Sequence, residues 1–319
     1  MLTIYLSTIQ IDFNSTHRYT ITVITQPINR VGYVITVYSH HIWIITVTMS
    51  DQESFPYHDY AASMGFQVLF TVVIHPIEFA EFLMQIGHTP IPGYPMRTFL
   101  GLRNVFKYIG HIRSKEGCLG CYRGLLSRIR TRIVGASALA AFTYNVRVFE
   151  PSQDEEELSF SRFLTSLWKE LVEVSVTIIA SQPFIVISWR VMGQFVGHEK
   201  IYSSFFWTIG EIYSRSGVTG FFTGLVPRWL CDTLTQAATL SICYVINCYL
   251  ISDPLHRAVT RVAVRYLCYL FTNPLTVAAV CFGVNDCGLA CGVPPNMPIF
   301  RGWTDALAYI TRPRKASIE

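Results

Sequence analysis

Pro76-Ile77-Glu78-Phe79-Ala80-Glu81, followed by Glu116-Gly117 and Tyr122-Arg123-Gly124, is the stretch that decides the fold, because its elements return in the same order further along the chain. Pro183 leads to Ser216-Gly217 and Phe222-Thr223-Gly224, with Leu225-Val226-Pro227-Arg228 directly behind. A third proline, Pro274, opens a third unit. The proline spacings of 107 and 91 residues define a threefold repeat of about 100 residues. Each proline lies inside an apolar window, where it removes one helical hydrogen bond. Lipid tolerates that loss where neighbouring helices satisfy the freed carbonyl.

The solvent for these windows follows from composition. Of 319 residues 51% are apolar and 14% charged, with 25 basic and 21 acidic side chains and a net charge of +4. So few charges cannot clothe a soluble domain, and the absence of a long basic run argues against nucleic acid as a partner. Windows long enough to cross a hydrocarbon core of about 30 Å run over 64–84, 133–149, 171–189, 229–251 and 262–284. The basic, amphipathic stretch 97–115 joins the first and second and the acidic loop 150–157 joins the second and third, so the two membrane faces differ in charge. The expected fold class is therefore an all-α membrane protein: kinked transmembrane helices in a threefold repeat, alternating with short amphipathic helices. Repeat 1 is expected over 49–158, repeat 2 over 159–255 and an incomplete repeat 3 over 256–319.

Residues 1–48 differ from the rest, being rich in Thr, Ile, Val and Tyr and almost uncharged. They match neither a secretory signal nor an arginine-rich transit peptide. The β-branched run 31–47 suits a strand better than a helix. A polar composition sets in at Met49, and the segment before it is expected to be an upstream or disordered extension.

Nine cysteines, most of them in apolar windows, indicate a reducing compartment. Cys118 and Cys121, with Cys287 and Cys291, could be imagined as four zinc ligands, but no histidine follows at finger spacing and reduced thiols are the preferred reading. No nucleotide motif or nucleophile with its base is present, so neither an enzyme nor a cofactor is expected.

The motifs around Pro76 and Glu116–Gly124 resemble the mitochondrial carrier family. Gly220–Arg228, Asp232 four residues on, and Asn285–Pro295 are similar to one branch of it, the mitochondrial carrier homologues of the outer membrane, type 2 above all. The resemblance implies a place in the outer mitochondrial membrane with several spans. It also implies insertion of tail-anchored and other α-helical clients, lipid scrambling, and docking of a truncated pro-apoptotic protein.

The departures from transporting carriers are informative. Such carriers place an acid two residues, and a cation five residues, after each repeat's proline, forming a charged gate. Here those positions hold Glu78 and Glu81, Ile185 and Ser188, and Thr276 and Ala279. No ring of ion pairs can form from them, which argues against alternating access. The signature glycine follows its proline by 48 and 41 residues, so a third is expected near 315 to 322 with a span beyond it, and the sixth span is expected to be missing. The residue pattern Trp303, Leu307, Ile310 predicts one last amphipathic turn or two.

A charge at mid-membrane costs about 2.5 to 3.5 kcal/mol, so each marks a cavity, a partner or a snorkelling end. Glu78, Glu81, Glu170, Glu173, Arg190, Asp232, Gln236, Arg265 and Asn273 are the candidate groove residues. Pro76, Pro183, Pro274, Gly124, Gly224, Pro227 and Arg228 are the structural motif. Arg128, Arg130, Arg132, Lys169, Glu170, Arg257 and Arg261 lie near span ends, where snorkelling is an equal alternative. His75 reads as a hydrogen-bonded helix histidine. An inward polar face behind a missing wall would be a wet groove open to lipid, suited to passing hydrophilic flanks or headgroups. A divergent solute carrier and a receptor or scaffold remain the alternatives.

Overall fold

The structure, a computed structural model, describes residues 5–12, 18–25, 32–37, 45–50, 57–88, 101–149, 160–202, 204–249 and 254–312. Two antiparallel hairpins come first. Strand β1 (Tyr5–Asp12) pairs with β2 (Arg18–Thr25), and β3 (Gly32–Val37) with β4 (Ile45–Ser50). The strand character read from 31–47 is present at both ends of that run, and Met49 lies in β4 opposite Tyr33. The other long elements among the described residues are helices: α1 (Tyr57–Gln85), α2 (Gly101–Gly120), α3 (Leu125–Phe149), α4 (Phe160–Gly197), α5 (Phe205–Ser216), α6 (Leu225–Tyr249), α7 (Pro254–Gly283) and α8 (Trp303–Thr311). Among the described residues each short helix, α2, α5 and α8, thus follows the first long helix of its repeat, α1, α4 and α7, in the order the repeat predicts. The acidic loop 150–157 and the first residues of the basic stretch, 97–100, lie outside the described residues.

Pro76, Pro183 and Pro274 sit inside α1, α4 and α7. Gly124 and Gly224 each end a turn immediately before α3 and α6, with φ of 82° and 74°. Only glycine takes such angles without strain, and this fixes where the even-numbered units restart.

Hydropathy separates the long helices into two kinds. Three, over Met64–Gln85, Phe163–Gly197 and His256–Gly283, are long and apolar enough to cross a membrane. The expectation of five such windows is corrected for α3 and α6. Each has 25 residues, about 37 Å of helix, but their inner faces carry polar groups that protein partners satisfy instead of lipid. In α3 these are Arg128 and Arg132, and in α6 Arg228, Thr235, Gln236 and Thr239.

The long helices pack in the order α1, α3, α4, α6, α7. Small residues allow the close α3–α4 approach: a Cβ on Gly135 would lie 3.3 Å from Thr177 Cγ2. Side-chain hydroxyls stitch α6 to α7, with Thr235 Oγ1 2.7 Å from Thr272 Oγ1 and Cys231 Sγ 3.0 Å from Thr276 Oγ1. Helices α1 and α7 touch more thinly, with Cys281 Sγ donating to the Gln85 carbonyl at 3.5 Å where both helices end.

One large apolar core gathers at that end. Phe79 and Leu83 of α1, Val186, Trp189 and Met192 of α4, and Ala278 and Val280 of α7 meet there with α2, α5, the segment 284–302 and α8. The predicted terminal amphipathic helix is α8, whose Ala306 is buried and whose Leu307 and Ile310 pack on this core.

Candidate groove within the helical ring

The gate positions are filled by contacts of another kind. Ser188 is fully buried and its Oγ donates to the Gly124 carbonyl at 3.4 Å. Ala279 is pressed against Gly224, where an added Cβ would lie 2.4 Å from the Ala279 carbonyl oxygen. Ile185 belongs to the apolar core, and Thr276 bonds Cys231. At these points the helices are joined by close backbone packing, which cannot exchange partners as a ring of ion pairs does.

The charges collect on the other half of the ring. Glu78 is 7% exposed and accepts from Arg128 Nε at 2.7 Å and from Arg132 Nη2 at 3.2 Å. Helices α1 and α3 are thereby joined across the interior. Arg228 bridges α6 to α4, donating to Gln182 Oε1 at 2.8 Å and Ser181 Oγ at 3.2 Å, while Gln182 Nε2 donates to the Thr223 carbonyl at 2.9 Å. Asp232, one turn beyond Arg228, stands in the combined field of Arg228, Arg265 and Arg132. A second chain of contacts spans α4, α6 and α7. Arg261 Nη2 donates to Glu170 Oε2 at 2.6 Å, Gln236 Nε2 donates to the same oxygen, and Arg265 Nη1 donates to Gln236 Oε1 at 3.1 Å. Arg261 and Arg265 are exposed, so this chain is the wet rim of the interior. Glu173 is half-buried one turn along from Glu170. Asn273 accepts from the Tyr269 hydroxyl at 3.0 Å within α7.

Other candidates fall elsewhere. Glu81 is buried one turn past Glu78 and accepts from Gln85 Nε2 at 3.3 Å, close to the apolar end. Arg190 does not line the groove: it is buried beneath the turn before α6, 3.4 Å from the Gly220 carbonyl, because nearly five turns of α4 separate it from Glu173. Pro227 is buried in the first turn of α6. His75 donates through Nε2 to the Arg123 carbonyl at 2.9 Å, the role read for it.

The trio Arg128, Arg130 and Arg132, read as possible snorkellers, has partners within the protein. Arg128 and Arg132, four apart on one helical face, turn inward to Glu78. Arg130 instead lies 4.0 Å over the Phe205 ring. Gln182 was missed altogether; its place directly before Pro183, where α4 gives up a hydrogen bond, was the available signal. Among the described residues no group of three or more His, Cys, Asp or Glu could hold a metal, so the two cysteine pairs do not combine into one site.

A threefold-repeat helical membrane protein, closed at one end by apolar packing and polar in the other half, is the class that fold and site define. The profile of the family described as Mitochondrial carrier protein matches residues 52–148 and 165–253, and the chain belongs to that family. Mitochondrial carrier homolog 2 of Mus musculus is 29% identical over 263 residues, covering 76% of this chain and 86% of that protein. The Homo sapiens protein of the same name shows the same identity and coverage. Mitochondrial carrier homolog 1 of Mus musculus is 28% identical over 275 residues, 76% of this chain and 70% of that protein. This chain is thus a divergent mitochondrial carrier homologue.

Proposed function

We propose that this protein is a non-enzymatic insertase of the outer mitochondrial membrane, crossing it several times and passing tail-anchored and other α-helical clients into lipid. The observation that carries the reading is the division of the ring. Glu78, Arg128, Arg132, Arg228, Asp232, Glu170, Gln236, Arg261 and Arg265 share one polar half, while the gate positions of repeats 2 and 3, Ile185, Ser188, Thr276 and Ala279, are taken up by packing contacts. A hydrophilic client flank crossing alone would lose its hydration, and a polar surface replaces part of it. The apolar helix then leaves sideways through the thin α7–α1 side. Burial of that helix in lipid supplies the driving force. The same surface would serve lipid headgroups, so scrambling accompanies the proposal, and docking of a truncated pro-apoptotic protein is a further partner proposal.

The test is insertion of a tail-anchored client into liposomes containing only this protein, read as protease protection of the client's far end. Wild-type protein is expected to protect, and Asp232→Arg, which reverses a charge among three arginines, to protect much less while still reaching the membrane. Equal protection by both would overturn the reading.

A further inference from the structure

Arg261 and Arg265 stand one turn apart on α7, a helix long and apolar enough to cross a membrane, and both are exposed. Each reaches across the ring rather than out to lipid. Arg261 Nη2 bonds Glu170 of α4 at 2.6 Å, and Arg265 Nη1 bonds Gln236 of α6 at 3.1 Å. A guanidinium facing hydrocarbon would be costly, so the exposed surface of both belongs to the wet interior. Arg265 lies about 6 Å further along the helix than Arg261.

Their partners leave positive charge over. A guanidinium carries five N–H donors, and among the described residues Arg265 uses one of them, on a neutral amide. Arg228 is likewise hydrogen-bonded to neutral groups, Gln182 and Ser181. The five arginines of the polar half face three carboxylates there, Glu78, Glu170 and Asp232. Adding Lys169 and Arg257 on one side and Glu81 and Glu173 on the other leaves the cationic excess unchanged among the described residues. An interior with more cations than anions, two of the cations exposed, attracts an anion. A planar carboxylate matches the guanidinium fork through two parallel N–H···O bonds. The free end of a tail-anchored client carries such a group, its C-terminal carboxylate, on the flank that has to cross.

We propose that Arg261 and Arg265 form a carboxylate-binding site for the crossing flank, so that the protein takes clients with an anionic far end in preference to those whose far end is amidated or basic. The inference rests on the insertase reading and names the client class of the same polar half. The two arginines receive the carboxylate in turn, one helical turn apart, while Glu170 and Gln236 hold their guanidinium groups towards the interior. A basic flank meets the same arginines as like charge and is held back.

The experiment uses the full-length protein in liposomes of zwitterionic lipid and a single tail-anchored client made in three forms: with a free C-terminal carboxylate, with a C-terminal amide, and with the amide behind added lysines. Initial rates of protease protection are compared as ratios, so that a change in overall rate does not enter. Wild-type protein is expected to insert the carboxylate form about fivefold faster than the amide, the effect of one exposed ion pair, and the lysine form more slowly than either. The double variant Arg261→Gln, Arg265→Gln brings the carboxylate-to-amide ratio to one, and Arg265→Glu reverses it. Arg130→Gln, which removes a cation lying over Phe205, keeps the wild-type ratio. Melting curves establish that each variant is folded. A wild-type ratio of one with the amide client still inserted would overturn the inference and leave the insertase reading standing; protection of no client would overturn both. An unchanged ratio in folded Arg265→Glu would also overturn the inference. If a lipid phosphate is the anion served, the client ratio is one and Arg265→Glu instead slows leaflet exchange of a labelled anionic phospholipid, which again overturns it.

Discussion

The two halves of the helical ring use opposite means to hold the same helices together. At the C-terminal ends of α1, α4 and α7, apolar side chains and close backbone contacts join the repeats, with Ser188 on Gly124 and Ala279 on Gly224. In the other half, α1 is held to α3 by Glu78 with Arg128 and Arg132, and α4 to α6 by Gln182 with Arg228. Dispersion and burial dominate in the first, where no solvent competes. Charge-assisted hydrogen bonds dominate in the second, where part of the surface is wet. The difference teaches that a carrier scaffold can lose its gate without losing its architecture. The repeat's glycines and prolines fix the backbone, and the gate positions are free to become packing positions.

The largest effect should come from breaking the closed half. Gly224→Val places a branched side chain at φ of 74° and into the Ala279 carbonyl, and we expect a loss of about 3 kcal/mol. Denaturant unfolding in detergent micelles, followed by tryptophan emission, checks it. In the polar half, Glu78→Ala should cost about 2 kcal/mol because two mostly buried arginines lose their carboxylate. Arg261→Gln, whose arginine is 48% exposed, should cost below about 1 kcal/mol. A double-mutant cycle on the same unfolding signal ranks the two pairs; equal costs would mean that the rim is as dry as the interior.

The smallest effect is a slope with pH. His88 and His111 stand over the Phe195 ring at 6.2 and 6.1 Å. Burial, joined for His88 by the charges of His111 and His198, and for His111 by Lys115 and His198, lowers both from their ordinary value of 6.5. As pH falls below 6.5, the unfolded chain takes up protons that the folded corner refuses. Stability therefore falls with pH through this window and levels off once the folded-state pKa values are passed. Melting temperatures from pH 8 to about 5 should show this, and His88→Gln should flatten the slope.

Backbone-driven features were legible in the sequence. Pro76, Pro183 and Pro274 announced the odd helices, and Gly124 and Gly224 the restart of the even ones, because those residue types carry their conformational preference wherever they stand. The polar half was only partly legible. Glu78 and Arg128 are 50 residues apart, so nothing local distinguishes an arginine that turns inward from its neighbour Arg130, which stacks on Phe205. Arg190 was counted with the groove because a charge in an apolar run looks alike wherever it points; only the path of α4 past Gly220 shows its separate place.

The most direct test of the central claim is photocrosslinking to a client helix caught during insertion. A benzophenone amino acid is placed at Arg265, on the polar rim, or at Leu119, 87% exposed at the closed end. The account predicts client adducts from position 265 and none from position 119. Adducts from 119 alone, or equally from both, would contradict a division of labour between the two halves.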